Sequence, residues 1–137
     1  MGVDRETIEK RFFRLEHSLR KLKKLSKTSW EVYIENEGIR DQVERNLQIA
    51  AQICIDIGNH IIAYRGYRVP YSYGDIFAVL REENLLPETL ANTMIQIAGF
   101  RNILVHDYLE IDHRIVFASL KRLDDFKQFA EYILTRL

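Results

Sequence analysis

The chain has 137 residues, of which 20 are basic, 20 are acidic and 47% are hydrophobic. A chain of this size is expected to form one domain, residues 1–137, and its balanced charge excludes binding to nucleic acid through overall charge. Cys54 is the single cysteine, which excludes an internal disulfide and a cysteine-rich zinc site. No apolar run approaches about 18 residues and the first residues lack the apolar core of a signal peptide, so we expect a cytoplasmic protein without a membrane span.

The first predicted helix runs from Val3 to about Ser26, with Asp4 as its N-cap. Its apolar residues are spaced alternately by four and three, and they are Ile8, Phe12, Leu15, Leu19 and Leu22. The segment from Lys10 to Lys27 holds eight basic residues and one acid, Glu16. Such a run is either a solvated helix face or a surface that attracts phosphate beside an active cleft.

A short aromatic segment from Trp30 to Ile34 follows. It is predicted to form a turn or a brief helix capped by Thr28 or Ser29. We interpret Trp30 as a packing anchor.

The longest helical pattern extends from Gly38 to Tyr64, and Gly66 ends it. Its apolar stripe is so broad that this helix is either central to its own bundle or shared with a second subunit. Asp56 and His60 are four residues apart and share a face, which could suit a metal or an acid–base pair. Because further ligands are missing nearby, a hydrogen bond on the helix surface is the favoured interpretation.

Residues 65–74 contain three tyrosines and are predicted to form a loop whose aromatic side chains cover a cleft. A short helix from Asp75 to Glu83, capped by Asp75, comes next. Pro87 marks the first turn of the helix after it.

That helix is predicted to end or bend near Tyr108, because Asp112 resembles the N-cap of a last helix that continues to Leu137. The sequence shows no clear strand and no repeat. The predicted fold is therefore all-α, an up-and-down bundle of four principal helices plus one or two short helices.

The stretch from Arg101 to Tyr108 concentrates an arginine, an amide, an imidazole, a carboxylate and a phenol in eight residues. Arg101 and Tyr108 occupy two of six positions in a stripe that is otherwise apolar, and the other four are Leu90, Met94, Ile97 and Leu104. A charged guanidinium on a buried stripe costs several kcal/mol unless it is paired or lines a cleft. The pattern therefore indicates that Arg101 serves a partner, an interface or a substrate.

The residues Arg101-Asn102-x3-His106-x-Tyr108 resemble the Arg-x4-6-His signature of HEPN domains, and the extension to His-x-Tyr resembles the HepT branch of that superfamily. HepT proteins are toxins of a two-gene system that also encodes a minimal nucleotidyltransferase. The segments that resemble the family's other helices are Arg40–Gln48, Cys54–Ile62, Met94–Tyr108 and Phe126–Ala130. The resemblance covers the chain from about Ile39 onward and matches the first helix only in general character.

The resemblance implies a homodimeric, metal-independent endoribonuclease with no cofactor. Its cleft would form where the motif helices of two subunits meet, with Arg101 and His106 as catalytic residues. An MntA-like nucleotidyltransferase antitoxin would silence it by transferring AMP to Tyr108, as in a type VII-like toxin–antitoxin pair.

The chemistry of the motif supports these roles. Five residues of a regular helix turn through about 500°, so Arg101 and His106 point about 140° apart on one straight helix. A helix end near His106 could turn the imidazole towards Arg101. Alternatively, a second subunit could supply the missing side chain. We expect His106 to act as general base or acid, Arg101 to hold the transition-state oxygens, and Asn102 to bind phosphate or orient the imidazole.

Two other hypotheses stay open. The chain could be a non-catalytic helical subunit that binds a nucleotide or docks a nucleotidyltransferase, with Arg101 gripping phosphate. It could also be a generic helical dimer with an accidental motif, in which case Arg101 and His106 lie apart and exposed.

Overall fold

The computed structural model describes residues 5–105 and 110–137, and the regular elements in these ranges are all helices. The principal helices are α1 (Arg5–Leu25), α3 (Glu37–Arg65), α5 (Glu88–Val105) and α7 (Asp124–Leu134). Three short helices lie between them: α2 (Trp30–Glu35), α4 (Tyr73–Glu82) and α6 (His113–Ser119). The predicted all-α fold with four principal helices is confirmed, with three short helices where one or two were expected. The predicted cap Asp4 and the motif residues His106 and Tyr108 lie outside the described residues.

Helix α3 is the centre of the bundle. It packs against α1, α5, α4, α2 and α7. Its isoleucines Ile53, Ile57 and Ile61 are at most 4% exposed within this single chain. Burying one such side chain stabilises the fold by about 1.5–3 kcal/mol. Of the two explanations for its broad apolar stripe, the structure therefore supports a helix central to its own bundle, and the stripe no longer argues for a second subunit.

The ends of α3 follow from local chemistry. The side chain of Asn36 caps it by accepting a hydrogen bond from the backbone N–H of Ile39 at 3.0 Å. Gly66 ends it with φ 68°, in the left-handed region that glycine adopts without a steric penalty, which confirms the prediction.

A second glycine of α3 sets the distance to α4. A Cβ on Gly58 would lie 2.6 Å from Cγ2 of Ile76, closer than carbon atoms pack. The missing side chain lets α4 lie directly on α3.

Helix α1 lies along α3 through its predicted stripe, in which Ile8, Phe12, Leu15 and Leu22 are buried. The Ser29 side chain caps α2 by accepting from the Val32 N–H at 3.3 Å. Trp30 is confirmed as a packing anchor, since its ring meets Phe117 edge-on at 5.4 Å.

The prediction of one continuous last helix was wrong, because α6 ends at Ser119 and α7 begins at Asp124. Between them the backbone forms tighter bonds three residues apart, from Lys121 to Ala118 and from Arg122 to Ser119. Leu120 and Phe126 are buried on either side of the break. The apolar period therefore continues across the break, and the break could not be predicted from it. The predicted N-cap Asp112 is confirmed, and it accepts from the Arg114 N–H at 3.0 Å.

The predicted start of α4 also needs correction. The helix begins at Tyr73, and Ser72 caps it by accepting from the Asp75 N–H at 3.1 Å. Asp75 is therefore inside the first turn, so its carboxylate does not cap the helix and can bond to the preceding loop. No helix in the described part of the chain is long and apolar enough to cross a bilayer.

Candidate active site at the end of α5

Arg101 lies in the last part of α5, on the side that faces the bundle. Met94, Ala98 and Leu104 of this helix are buried, whereas Arg101 is half-buried and Asn102 is exposed. The helical stripe predicted from sequence therefore carries a guanidinium at the border between core and solvent. The other two predicted site residues, His106 and Tyr108, lie beyond the described end of α5.

The guanidinium of Arg101 has an aromatic neighbour and a weak polar one. Its Cζ lies 5.1 Å from the ring centroid of Tyr73, a cation–π contact. Its Nη1 donates to Oδ1 of Asn102 at 3.3 Å. Within the described ranges no carboxylate forms an ion pair with it, and its buried Nε has no hydrogen-bond partner. A buried donor without a partner lowers the stability of the fold, so its presence here indicates that Arg101 binds an acceptor from another molecule.

A charged cluster ties the loop before Tyr73 to α4. Arg68 donates to both oxygens of Asp75, at 2.7 and 3.0 Å, and to both oxygens of Glu82, at 2.9 and 2.8 Å. The backbone N–H of Tyr71 also donates to Asp75, at 2.9 Å. Bidentate bonds of this kind restrict geometry as well as adding energy.

The charges of this cluster reinforce one another. The hydrogen bonds from Arg68, followed by the one from the Tyr71 N–H, lower the pKa of Asp75 from its ordinary value to about 2. The pKa of Glu82 is also lowered, chiefly by its hydrogen bond with Arg68. The pKa of Arg68 is raised in turn by its bonds to both carboxylates.

The tyrosines predicted to cover the cleft take different positions. Tyr73 contacts Arg101, but it belongs to α4 and not to the loop. Tyr71 is 89% exposed, and its ring centroid lies 5.3 Å from the guanidinium carbon of Arg68. Sequence reasoning placed aromatic side chains near the motif but did not identify Tyr73 as the one under Arg101, because that contact depends on how α4 crosses α5.

The surface of α5 that faces away from the bundle, on the side of the helix opposite Arg101, is open. A Cβ added to Gly99 would have no atom within 4 Å. Asn102 is exposed and Ile103 is 45% exposed, and both lie one turn from Gly99. A glycine inside a helix costs about 1 kcal/mol relative to alanine, and nothing in the described part of this chain needs one here. The patch formed by Gly99, Asn102 and Ile103, the α5 patch, therefore suits close approach by another molecule.

The second candidate pair does not form. Asp56 accepts a hydrogen bond from Nε2 of Gln52 at 2.8 Å, and the ring of His60 lies 6.2 Å from that of Tyr64. Over residues 5–105 and 110–137, no group of three or more His, Cys, Asp or Glu side chains could hold a metal ion. Asp56 thus makes the expected helix-surface hydrogen bond, although with Gln52.

An apolar groove of about 370 Å³ lies on another side of α5, against α3, α6 and α7. Its walls include Leu47, Phe100, Ile115 and Phe126. The polar groups at the groove include Arg122 and Asp125, which form an ion pair at 3.2 Å. Arg101 does not line the groove, so the groove does not provide the chemistry expected of the motif.

The fold matches solved structures of toxins from two-gene systems. The HEPN toxin of Shewanella oneidensis, solved tri-AMPylated and in complex with its MNT antitoxin, superposes with a TM-score of 0.87 and 29% identity over 93% of this chain and 96% of that one. The all-helical fold is thus that of a HEPN-type domain.

Sequence comparison gives the family. The model for the ribonuclease HepT-like family matches residues 15–133. The mRNA nuclease HepT of Shewanella oneidensis is 38% identical over 96 residues, which are 69% of this chain and 72% of that protein. The tRNA nuclease HepT of Aphanizomenon flos-aquae is 32% identical over 119 residues, 87% of this chain and 81% of that protein. The chain belongs to the ribonuclease HepT-like family, a family of endoribonucleases, as the motif predicted.

Proposed function

We propose that this chain is the toxin of a type VII-like toxin–antitoxin pair and that it cleaves RNA without a metal ion. The observation that carries the proposal is the state of Arg101, a half-buried guanidinium with no carboxylate partner in the described residues and with its Nε unsatisfied. A phosphate oxygen is the acceptor that this geometry fits best, because arginine offers parallel donors in a fixed plane.

The reaction is a transesterification at phosphorus. A base removes the proton of the 2′-hydroxyl, the 2′-oxygen forms a bond to phosphorus, and the bond to the 5′-oxygen breaks as an acid protonates it. The products are a 2′,3′-cyclic phosphate and a free 5′-hydroxyl. Histidine can act as base or acid near neutral pH, and we assign that role to His106. Arg101 stabilises the charge on the phosphorane oxygens, and Asn102 is a second phosphate ligand or orients the imidazole.

The proposal includes a homodimer. Arg101 and His106 point about 140° apart on a straight helix, so one subunit cannot direct both side chains at the same phosphate. A second copy of α5 is the simplest source of the missing side chain. The α5 patch is a candidate contact surface for the second copy, because Gly99 allows a neighbouring backbone to come close and Ile103 offers apolar surface to cover.

The proposal also includes silencing by a cognate MntA-like nucleotidyltransferase that adds AMP to Tyr108. The Shewanella toxin described above was solved in AMPylated form with an MNT antitoxin. Tyr108 is seven residues after Arg101 and therefore shares its helix face if the helix continues. An added phosphate there would compete for Arg101 and obstruct RNA.

The deciding experiment is cleavage of RNA by the purified chain in EDTA, with His106→Ala and Arg101→Lys beside the wild type. We expect cleavage by the wild type and none by His106→Ala. Arg101→Lys keeps the charge but loses the paired donors, so its kcat should fall at least about 100-fold. Cleavage by His106→Ala at the wild-type rate would reject the assignment. RNA binding without cleavage under any condition would favour the non-catalytic subunit instead.

A further inference from the structure

The charge of this neutral chain is divided between one helix and the remainder. The 18 residues from Lys10 to Lys27 contain eight basic side chains and one acid, a net charge of +7. The other 119 residues contain 12 basic and 19 acidic side chains, a net charge of −7. The protein is therefore a strong electrostatic dipole, with its positive end along α1.

Within this segment, five side chains form a line on one face of α1. They are spaced by four, three, four and three residues, and they are Lys10, Arg14, His17, Lys21 and Lys24. We call this line the α1 stripe. Because the helix rises 1.5 Å per residue, the stripe extends for about 21 Å. All five side chains are exposed, since the opposite face of α1 is the one buried against α3.

The cations of the stripe are available. Lys10 has an ion pair with Glu6 at 3.3 Å, but both side chains are at least three-quarters exposed, and such pairs contribute little. Within the described ranges, Arg14, Lys21 and Lys24 form no ion pair. Phe13 lies beside Lys10 and His17 on the helix surface and is 67% exposed.

We infer that the α1 stripe is a binding surface for the phosphate backbone of RNA, separate from Arg101, and that Phe13 is a stacking surface for a base. The inference rests on the proposed function, because that function supplies an RNA to bind. Regularly spaced cations beside an exposed aromatic ring are the pattern by which proteins bind single strands without reading their sequence.

RNA fits this surface better than a membrane or a protein does. A membrane-bound helix inserts an apolar face, but the apolar face of α1 is buried against α3, so Phe13 is the exposed large apolar side chain of this helix. Protein interfaces are depleted in lysine, whereas two of the three unpaired cations of the stripe are lysines.

The position of the stripe sets the length of RNA that can use it. Helix α3 packs against both α1 and α5 and thus lies between the stripe and the motif helix. Only an RNA long enough to pass around the domain reaches the stripe and Arg101 of the same chain together. The stripe should therefore strengthen binding of long RNA and leave a fragment of a few nucleotides unaffected.

The test compares two variants that remove the same charge. Arg14→Gln, Lys21→Gln and Lys24→Gln together remove three cations of the stripe, and Arg65→Gln, Lys121→Gln and Arg136→Gln together remove three exposed cations elsewhere. The probe is a 2′-O-methyl RNA of about 30 nucleotides, which cannot be cleaved, measured over a series of salt concentrations. Each neutralised phosphate contributes about 0.7 to the slope of log affinity against log salt for a single strand.

For the stripe variant we expect a slope smaller by about 2 and an affinity lower by roughly 10–100-fold at low salt. The control variant should lose less than about threefold, and Phe13→Ala should lose affinity without a change in slope. Cleavage of a five-nucleotide RNA should be equal in the stripe variant and the wild type.

Several results would overturn the inference. One is equal affinity of the two triple variants for long RNA. Others are preferential binding of the wild type to phosphatidylserine vesicles, or loss of the nucleotidyltransferase complex in the stripe variant while RNA affinity is unchanged. The proposed function fails separately: it is rejected if the wild type does not cleave the five-nucleotide RNA, whereas the binding comparison with the uncleavable RNA still gives a result.

Discussion

Arg101 at the end of α5 rests on the ring of Tyr73 at the start of α4, with 5.1 Å between the guanidinium carbon and the ring centroid. A contact with the face of a ring does not use the N–H donors of the guanidinium, so the ring supports Arg101 without competing with a phosphate oxygen. Tyr73 is thus a positioning residue for the proposed catalytic cation.

Replacing Tyr73 by alanine should lower kcat for RNA cleavage about tenfold, because the guanidinium loses its support and samples other rotamers. Tyr73→Phe should stay within about twofold of the wild type, since the ring and not the hydroxyl makes the contact. Steady-state kinetics separate the effect on kcat from the effect on KM. Tyr71→Ala is the matched control, because Tyr71 contacts Arg68 instead. An equal loss in Tyr71→Ala and Tyr73→Ala would show that the loop as a whole matters and not this contact.

Two glycine substitutions should have opposite effects on stability. Gly99→Ala should raise the free energy of unfolding by about 0.5–1 kcal/mol, because alanine is the better helix former and its Cβ meets nothing within 4 Å. Gly58→Ala should lower it by about 1–3 kcal/mol, because its Cβ would overlap Cγ2 of Ile76. Urea unfolding of both variants measures the difference.

The same Gly99→Ala variant tests the α5 patch. A methyl group there should weaken the proposed dimer and reduce RNA cleavage even though the single chain gains stability. Sedimentation over a range of concentrations reports the dimer directly. A variant that is both stabilised and fully active would mean that nothing approaches Gly99 closely.

The lowered pKa of Asp75 predicts how the stability of the fold changes in acid. Its pKa is about 2 in the folded chain, below its ordinary value, so the unfolded chain binds more protons between the two values. The free energy of unfolding should therefore fall as the pH drops from about 4 to about 2. Asp75→Asn should be less stable at neutral pH and should lose less stability across this window. Urea titrations at several pH values compare the two slopes, and parallel slopes would contradict the assignment.

Mixing two inactive variants tests the composite cleft. If Arg101 of one subunit acts with His106 of the other, subunits carrying Arg101→Ala and His106→Ala should form mixed dimers with one complete site. After random exchange of subunits the mixture should recover up to about a quarter of wild-type cleavage. A site built within one chain would recover none. The double variant mixed with wild type controls for dilution.

Local patterns predicted much of this fold correctly. The stripe of α1, the cap at Asp112 and the end of α3 at Gly66 all depend on residues a few positions apart. The two errors had local causes as well. The break at Leu120 keeps the apolar period, and Ser72 caps α4 three residues before the acid chosen from sequence.

Contacts between distant parts of the chain could not be read from those patterns. An apolar stripe shows that a face is buried but not by which partner, so the isoleucines of α3 fitted a second subunit as well as α1, α4 and α5. The Arg68 cluster joins residues up to 14 positions apart, and Tyr73 is 28 positions from Arg101. The first pairing depends on how the loop folds back on α4, and the second on how α4 packs against α5.

The helical type of the elements and most of their ends could thus be predicted from the sequence, because they are set by hydrogen bonds and periodicities that repeat within one or two turns. The burial of α3 inside one chain, the aromatic ring beneath Arg101 and the open surface at Gly99 became visible only when the helices were assembled. Packing determines which helix faces contact each other, and these faces are far apart along the chain. The local apolar period shows that a face is buried but not which face it contacts.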